Sequence, residues 1–140
     1  MSEEEAQQLL YQMQMLEGYL TELSQKESSL LNIIREAISA TESIKNSNVE
    51  SDSETLVPIG MGTYMKATIS PNQKVILNIG AGAAIEKDQD SAVNWIESKI
   101  KEMEVALQET SAQKQQVIAN LESGKQKMNQ LMQQSGQNKK

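Results

Sequence analysis

Apolar residues in the first third of the chain recur at alternating spacings of three and four: Ala6, Leu9, Met13, Leu16, Leu20, Leu23, Glu27, Leu30, Ile34, Ala37, Thr41 and Ile44, with only Glu27 and Thr41 polar. A narrow stripe of this kind, unbroken by proline, predicts a coiled-coil helix rather than a helix resting on a broad core. The same spacing returns in the last third, through Val93, Ile96, Ile100, Met103, Leu107, Thr110, Lys114, Val117, Leu121, Gly124, Met128 and Leu131. Each series covers 39 residues, about 58 Å at the helical rise per residue. Two arms of equal length can return alongside each other as an antiparallel pair.

Residues 55–87, TLVPIGMGTYMKATISPNQKVILNIGAGAAIEK, keep neither period. Short β-branched and apolar runs broken by glycine and proline predict four strands, at about 56–59, 63–69, 74–79 and 83–86. Gly60, Gly62, Gly80 and Gly82 fall in the connections, and Ser70-Pro71-Asn72-Gln73 forms the middle turn. Tyr64, Lys66 and Thr68 share one face of the second strand, and Met65, Ala67 and Ile69 the other. In the third strand Val75, Leu77 and Ile79 oppose Ile76 and Asn78, so cover is expected on both faces. Strands so few and short form a marginal sheet with open edges, and this hub should be stable only when other chains complete it.

The expected organisation is therefore a helix over 1–45, a polar connector over 46–54, two β-hairpins over 55–87, a second helix over 88–132 and a disordered polar tail over 133–140. Ser2 with Glu5 has the form of a capping box for the first helix, and Asp88 or Asp90 can cap the second. Aligning Ile44 with Val93 sets Leu30 opposite Leu107, Leu20 opposite Val117 and Leu9 opposite Met128. Glu27 then faces Thr110 and lies one layer from Lys114. These three form a polar layer in mid-arm that is expected to fix register. Glu3, Glu4 and Glu5 at the start of the first helix meet Lys125, Lys127, Lys139 and Lys140 near the end of the second, where each set complements a helix dipole. Gly124 leaves little for Met13 to pack on, so the free ends are expected to fray.

Composition narrows the function. The 140 residues include no Cys, no His and no Phe, which removes thiol chemistry, disulfides, the commonest metal ligand and the commonest general base. A net charge of −6 opposes nucleic-acid binding, which rests on clustered cations. MSEEEAQQLL is acidic where a signal peptide is basic, and no apolar run approaches membrane-spanning length, so a cytoplasmic protein without a membrane partner is expected. The stretch Ile79-Gly80-Ala81-Gly82-Ala83-Ala84 lacks the third small residue of a dinucleotide loop, Ile85 standing in its place, and no βαβ unit follows. Nothing points to a cofactor, a metal or a catalytic centre, and an enzyme is not expected.

The free ends carry more apolar surface than the seam needs. Leu10, Tyr11, Met15 and Met132 lie outside it, beside Leu9, Met13, Met128 and Leu131. Scattered surface apolar residues are common, but flexible, polarizable methionine suits surfaces that accept many apolar partners. Such tips could hold unfolded chains.

LVPIG at 56–60, GTYMKATI at 62–69 and KVILNIGAGAAIEK at 74–87 resemble the alpha subunits of the prefoldin family, in their archaeal form. The resemblance spans essentially the whole chain, and two hairpins distinguish alpha from single-hairpin beta subunits. It implies an α+β fold, a long antiparallel two-helix coiled coil with two β-hairpins at the hub end that assemble into an intersubunit β-barrel platform. It further implies a hexamer of two alpha and four beta subunits, an ATP-independent holdase that captures unfolded proteins at the coiled-coil tips and transfers them to a group II chaperonin, with no cofactor. Mapped onto this chain, assembly contacts would come from Ile59, Met65, Val75, Leu77, Ile79 and Ile85. Client contacts would come from Leu9, Leu10, Tyr11, Met13, Met128, Leu131 and Met132. A structural coiled-coil or tethering subunit without chaperone activity is the alternative that the residues leave open.

Overall fold

A computed structural model of the chain describes residues 3–47 and 50–138. The elements run α1 (Glu3–Asn46), β1 (Ser53–Gly60), β2 (Thr63–Ile69), β3 (Val75–Gly80), β4 (Ala83–Lys87) and α2 (Gln89–Asn138). They divide into two compact units. One combines α1 up to Asn32 with α2 from Glu104 onward, and the other is Ile33–Met103.

In the first unit Leu23, Val117 and Leu121 form a buried cluster against which Met13, Leu16 and Leu20 pack. Partners fall in number along α2 as they rise along α1, from Gly124 beside Met13 to Ser111 beside Glu27, so the helices are antiparallel there. In the second unit Ala92 and Ile96 of α2 are buried with Leu77 of β3, and Ala37 and Ile44 of α1 pack on them with Val75, Trp95 and Ile100. Lys45 reaches Glu97 at 3.4 Å. Every seam position of both helices is buried or half-buried, whereas most of the positions between them are exposed. The three-four period thus specified the faces that pack.

The polar seam residues Thr41 and Thr110 do not leave buried hydroxyls unpaired. Thr41 Oγ1 donates to the Ala37 carbonyl at 3.0 Å and Thr110 Oγ1 to that of Ala106 at 2.7 Å, each one turn back on its own helix. With its hydroxyl occupied in this way, threonine packs much as a small apolar side chain does, and no buried side-chain polar atom lacks a partner among the described residues.

Each hairpin is a separate two-stranded antiparallel sheet. β1 pairs with β2 from Ser53↔Ile69 to Gly60↔Thr63, and β3 with β4 from Val75↔Lys87 to Gly80↔Ala83; both registers shift just before the turn, at Pro58/Gly60 and at Asn78/Gly80. The turns repeat as well. Met61 and Gly62 have φ of 50° and 72°, and Ala81 and Gly82 have 54° and 75°, positive at both central positions as a two-residue type I′ turn requires. Ile-Gly-x-Gly is therefore a turn device used twice, not a phosphate loop. Asn72, with φ of 61°, carries the connection from β2 to β3, where Ser70 and Gln73 exchange hydrogen bonds and Gln89 Nε2 donates to the Gln73 carbonyl.

Three boundaries differ from the sequence expectation. β1 starts at Ser53 rather than near residue 56, because the main-chain ladder continues through Ser53, Glu54 and Thr55 whatever their side chains. α2 continues through 133–138, where a disordered tail was expected; glutamine is a good helix former and no proline interrupts the run. Asp88, not Asp90, caps α2: the Ser91 N–H donates to Asp88 Oδ1 at 2.7 Å. The capping box expected at Ser2, and the terminal Lys139 and Lys140, lie outside the described residues.

Candidate functional site

At the free ends of α1 and α2 the seam residues Leu9, Met13, Met128 and Leu131 are half-buried. Leu10, Tyr11, Met15 and Met132 project away from the seam and are exposed. The structure thus brings the expected tip residues to one end of the helix pair, in two tiers, one that packs and one open to solvent. Met13 is better packed than the sequence suggests. It lies directly over Gly124, whose missing side chain leaves room for the thioether.

The mid-arm polar layer forms with one change of membership. Lys114 Nζ donates to Glu27 Oε1 at 3.4 Å and Ser111 Oγ donates to Glu27 Oε2 at 3.1 Å. Thr110 is 1% exposed but its hydroxyl is occupied by its own helix, so it contributes volume rather than a partner for Glu27. Ser111 escaped the sequence reading because it lies one position off the seam, on the flank that a long glutamate side chain can reach.

Two of the expected assembly residues have a different role. Leu77 is 7% exposed and, with Val75, packs onto the helices of its own chain. Alternation in β3 turns these two inward, so they anchor the second hairpin rather than offering it to a partner. Ile79, at the register shift before the turn, is exposed, as is Ile85, the cross-strand partner of Leu77. Ile59 and Met65 are each 61% exposed. Cover was expected on the other face of β3 too, but among the described residues nothing buries Ile76, which is 68% exposed. Val57 on the Met65 face of the first hairpin, and Leu56 and Tyr64 on its other face, are exposed too, and none of the three was among the expected assembly contacts. Among the described residues neither hairpin gains a third strand, and a two-stranded apolar sheet is marginal by itself.

The Asp88 carboxyl is held below the ordinary carboxylate range, first by the Ser91 backbone N–H and then by the Ser91 hydroxyl, as suits a cap rather than an acid-base group. Among the described residues no helix is long and apolar enough to cross a membrane.

A sequence model of the prefoldin subunit matches residues 3–134, helix, hairpins and helix together. The chain belongs to the prefoldin family. It is 55% identical to prefoldin subunit alpha of Nitrosopumilus maritimus, over 98% of this chain and 97% of that protein. It is 32% identical to prefoldin subunit alpha of Pyrococcus horikoshii, over 84% and 78% of the two chains. A filamentous prefoldin from Methanocaldococcus jannaschii, solved by cryo-electron microscopy, shares the fold with a TM-score of 0.54 at 19% identity, covering 86% of this chain and 95% of that one. Prefoldins are chaperone subunits that assemble into oligomers rather than a family of enzymes, and the two-hairpin α+β architecture described above belongs to that family.

Proposed function

We propose that this chain is the alpha-type subunit of a cytoplasmic, ATP-independent holdase made of two alpha and four beta subunits. The hairpins close with those of neighbouring subunits into a β-barrel platform, and the tips hold unfolded proteins for transfer to a group II chaperonin. The observation that carries this reading is the hub surface: Ile59, Met65, Ile76 and Ile79 stand exposed on two hairpins whose edges pair with no further strand among the described residues. Apolar area of this kind is stable when partner strands cover it. The tips supply the second element, Leu10, Tyr11, Met15 and Met132 exposed around a half-buried Leu9, Met13, Met128 and Leu131.

The test is light scattering from a chemically unfolded, unrelated protein, without nucleotide, in the presence of this chain alone and then mixed with a matching beta subunit, with sizing in parallel. Suppression of aggregation that appears with a hexamer-sized particle is the expected result. An assembled particle that suppresses nothing would favour a tethering subunit and overturn the holdase reading.

A further inference from the structure

A groove of about 440 Å³ lies near the free ends of the two helices, lined by Glu5, Gln8, Leu9 and Gln12 of α1 and by Lys127, Gln130, Leu131 and Gln134 of α2. Both walls carry one pattern: a charged residue, then glutamine at i+3, leucine at i+4 and glutamine at i+7. These offsets place four side chains on one helix face. Because the helices are antiparallel, the two copies face each other with approximate two-fold symmetry. Leu9 and Leu131 form a half-buried floor and the four glutamines line exposed rims. The charges fall at opposite ends, Glu5 towards the free end and Lys127 away from it, so the groove as a whole carries no net charge.

We propose that this groove binds a short extended segment of non-native polypeptide through its main chain. The proposal rests on the capture of unfolded chains argued above and deepens it by naming what is recognised. A carboxamide both donates and accepts, which is what the alternating N–H and C=O groups of an extended strand require. Among the described residues the side-chain carboxamides of Gln8, Gln12, Gln130 and Gln134 make no hydrogen bond within the chain, and all four are exposed at the rim. The leucine floor takes one aliphatic side chain without selecting its shape. Recognition of the peptide group, which every client shares, gives affinity without sequence preference; a purely apolar tip would instead rank clients by hydrophobicity.

The chain has no cysteine, so Gln133→Cys carries a single environment-sensitive dye beside the groove, attached before assembly with beta subunits. The probe is a capped, uncharged Ser/Leu/Thr peptide, compared with its main-chain N-methylated counterpart. The expected result is a saturable dye response to the first peptide. The midpoint should rise about tenfold for the N-methylated peptide and for Gln8→Ala/Gln12→Ala/Gln130→Ala/Gln134→Ala, the scale of one to two net hydrogen bonds. Alanine is a better helix former than glutamine, so the variant keeps its helices, as circular dichroism would verify. Equal midpoints for both peptides, or for both proteins, would overturn main-chain recognition while leaving the holdase reading intact. If the dye instead responds to protein concentration without peptide, the tips pair with each other and the groove is no peptide site. A particle that neither responds to peptide nor suppresses aggregation would overturn both proposals.

Discussion

The side chain of Met13 occupies the space that a side chain at Gly124 would need: a Cβ built there would stand 3.0 Å from Met13 Cγ and 3.2 Å from Sδ. A glycine in mid-helix costs about 1 kcal/mol relative to alanine, and here the partner helix uses the gap. Two effects therefore oppose each other in Gly124→Ala, gain of helix propensity and displacement of a flexible thioether. The single change should be close to neutral in thermal unfolding followed by circular dichroism. In a Met13→Ala background the clash is absent, and the same change should stabilise by about 1 kcal/mol. Equal effects in the two backgrounds would mean that Met13 and Gly124 are not coupled.

Glu27 sits between Lys114 and Ser111 with its side chain 26% exposed, and that of Lys114 is 29% exposed. Partial solvation limits the pair to about 1 kcal/mol or less. Lys114→Met leaves the carboxylate with only Ser111 and should destabilise by that order. Glu27→Leu with Lys114→Leu should raise the melting temperature, because it removes partly desolvated charge from an apolar seam. The double leucine variant should also loosen register. Cysteines at Leu20 and Val117 report the native alignment, and cysteines at Leu20 and Thr110 report a shift of one heptad. Cross-linking confined to the native pair in the leucine variant would remove the register role of Glu27.

The two hairpins should respond differently to charge. Leu77→Asp places a carboxylate in the cluster with Ala92 and Ile96 and should destabilise the chain itself by about 3 kcal/mol or more. The lone Trp95, half-buried in the same cluster, would report it as a red-shifted emission. Ile59→Asp with Met65→Asp alters only exposed positions. It should leave helicity and Trp95 emission unchanged while abolishing the large particle in sizing. A normal particle from that variant would show that the first hairpin is not an assembly surface.

The Asp88 cap gives a dependence on pH. Its folded-state pKa is depressed by hydrogen bonds from Ser91, so the folded state favours the carboxylate and its contribution to stability is present above the unfolded value. That contribution is lost as pH falls from the ordinary aspartate range through the lower folded value. Asp88→Ala should lower the melting temperature at neutral pH, and the gap from the unaltered protein should narrow on acidification below about pH 4. A gap that is constant with pH would assign the effect to packing rather than to the charged cap.

Much of this fold is local in origin, and for that reason it is visible in the residues alone. The three-four period places Leu23, Ile34, Val117 and Leu121 on packing faces wherever the helices go, because the pitch of a helix depends only on its own backbone. Ile-Gly-x-Gly marks a turn twice for the same kind of reason, since glycine accepts positive φ without a Cβ penalty and stands at such a φ at 60, 62, 80 and 82. What covers a given face is a different question, and it depends on residues distant in the chain. Alternation divides β3 into two faces without saying which meets a helix; contact with Ala92 and Ile96 turned Leu77 inward and left Ile76 in solvent. Ser111 became a partner of Glu27 only because the partner helix brought it within 3.1 Å, and Gly124 became a seat for Met13 only because a helix more than a hundred residues earlier in the chain lies against it. Sequence by itself determined the elements and the stripes; the tertiary structure decided which apolar residues are consumed inside the chain and which remain for other chains, because burial depends on contacts between residues that no local period relates.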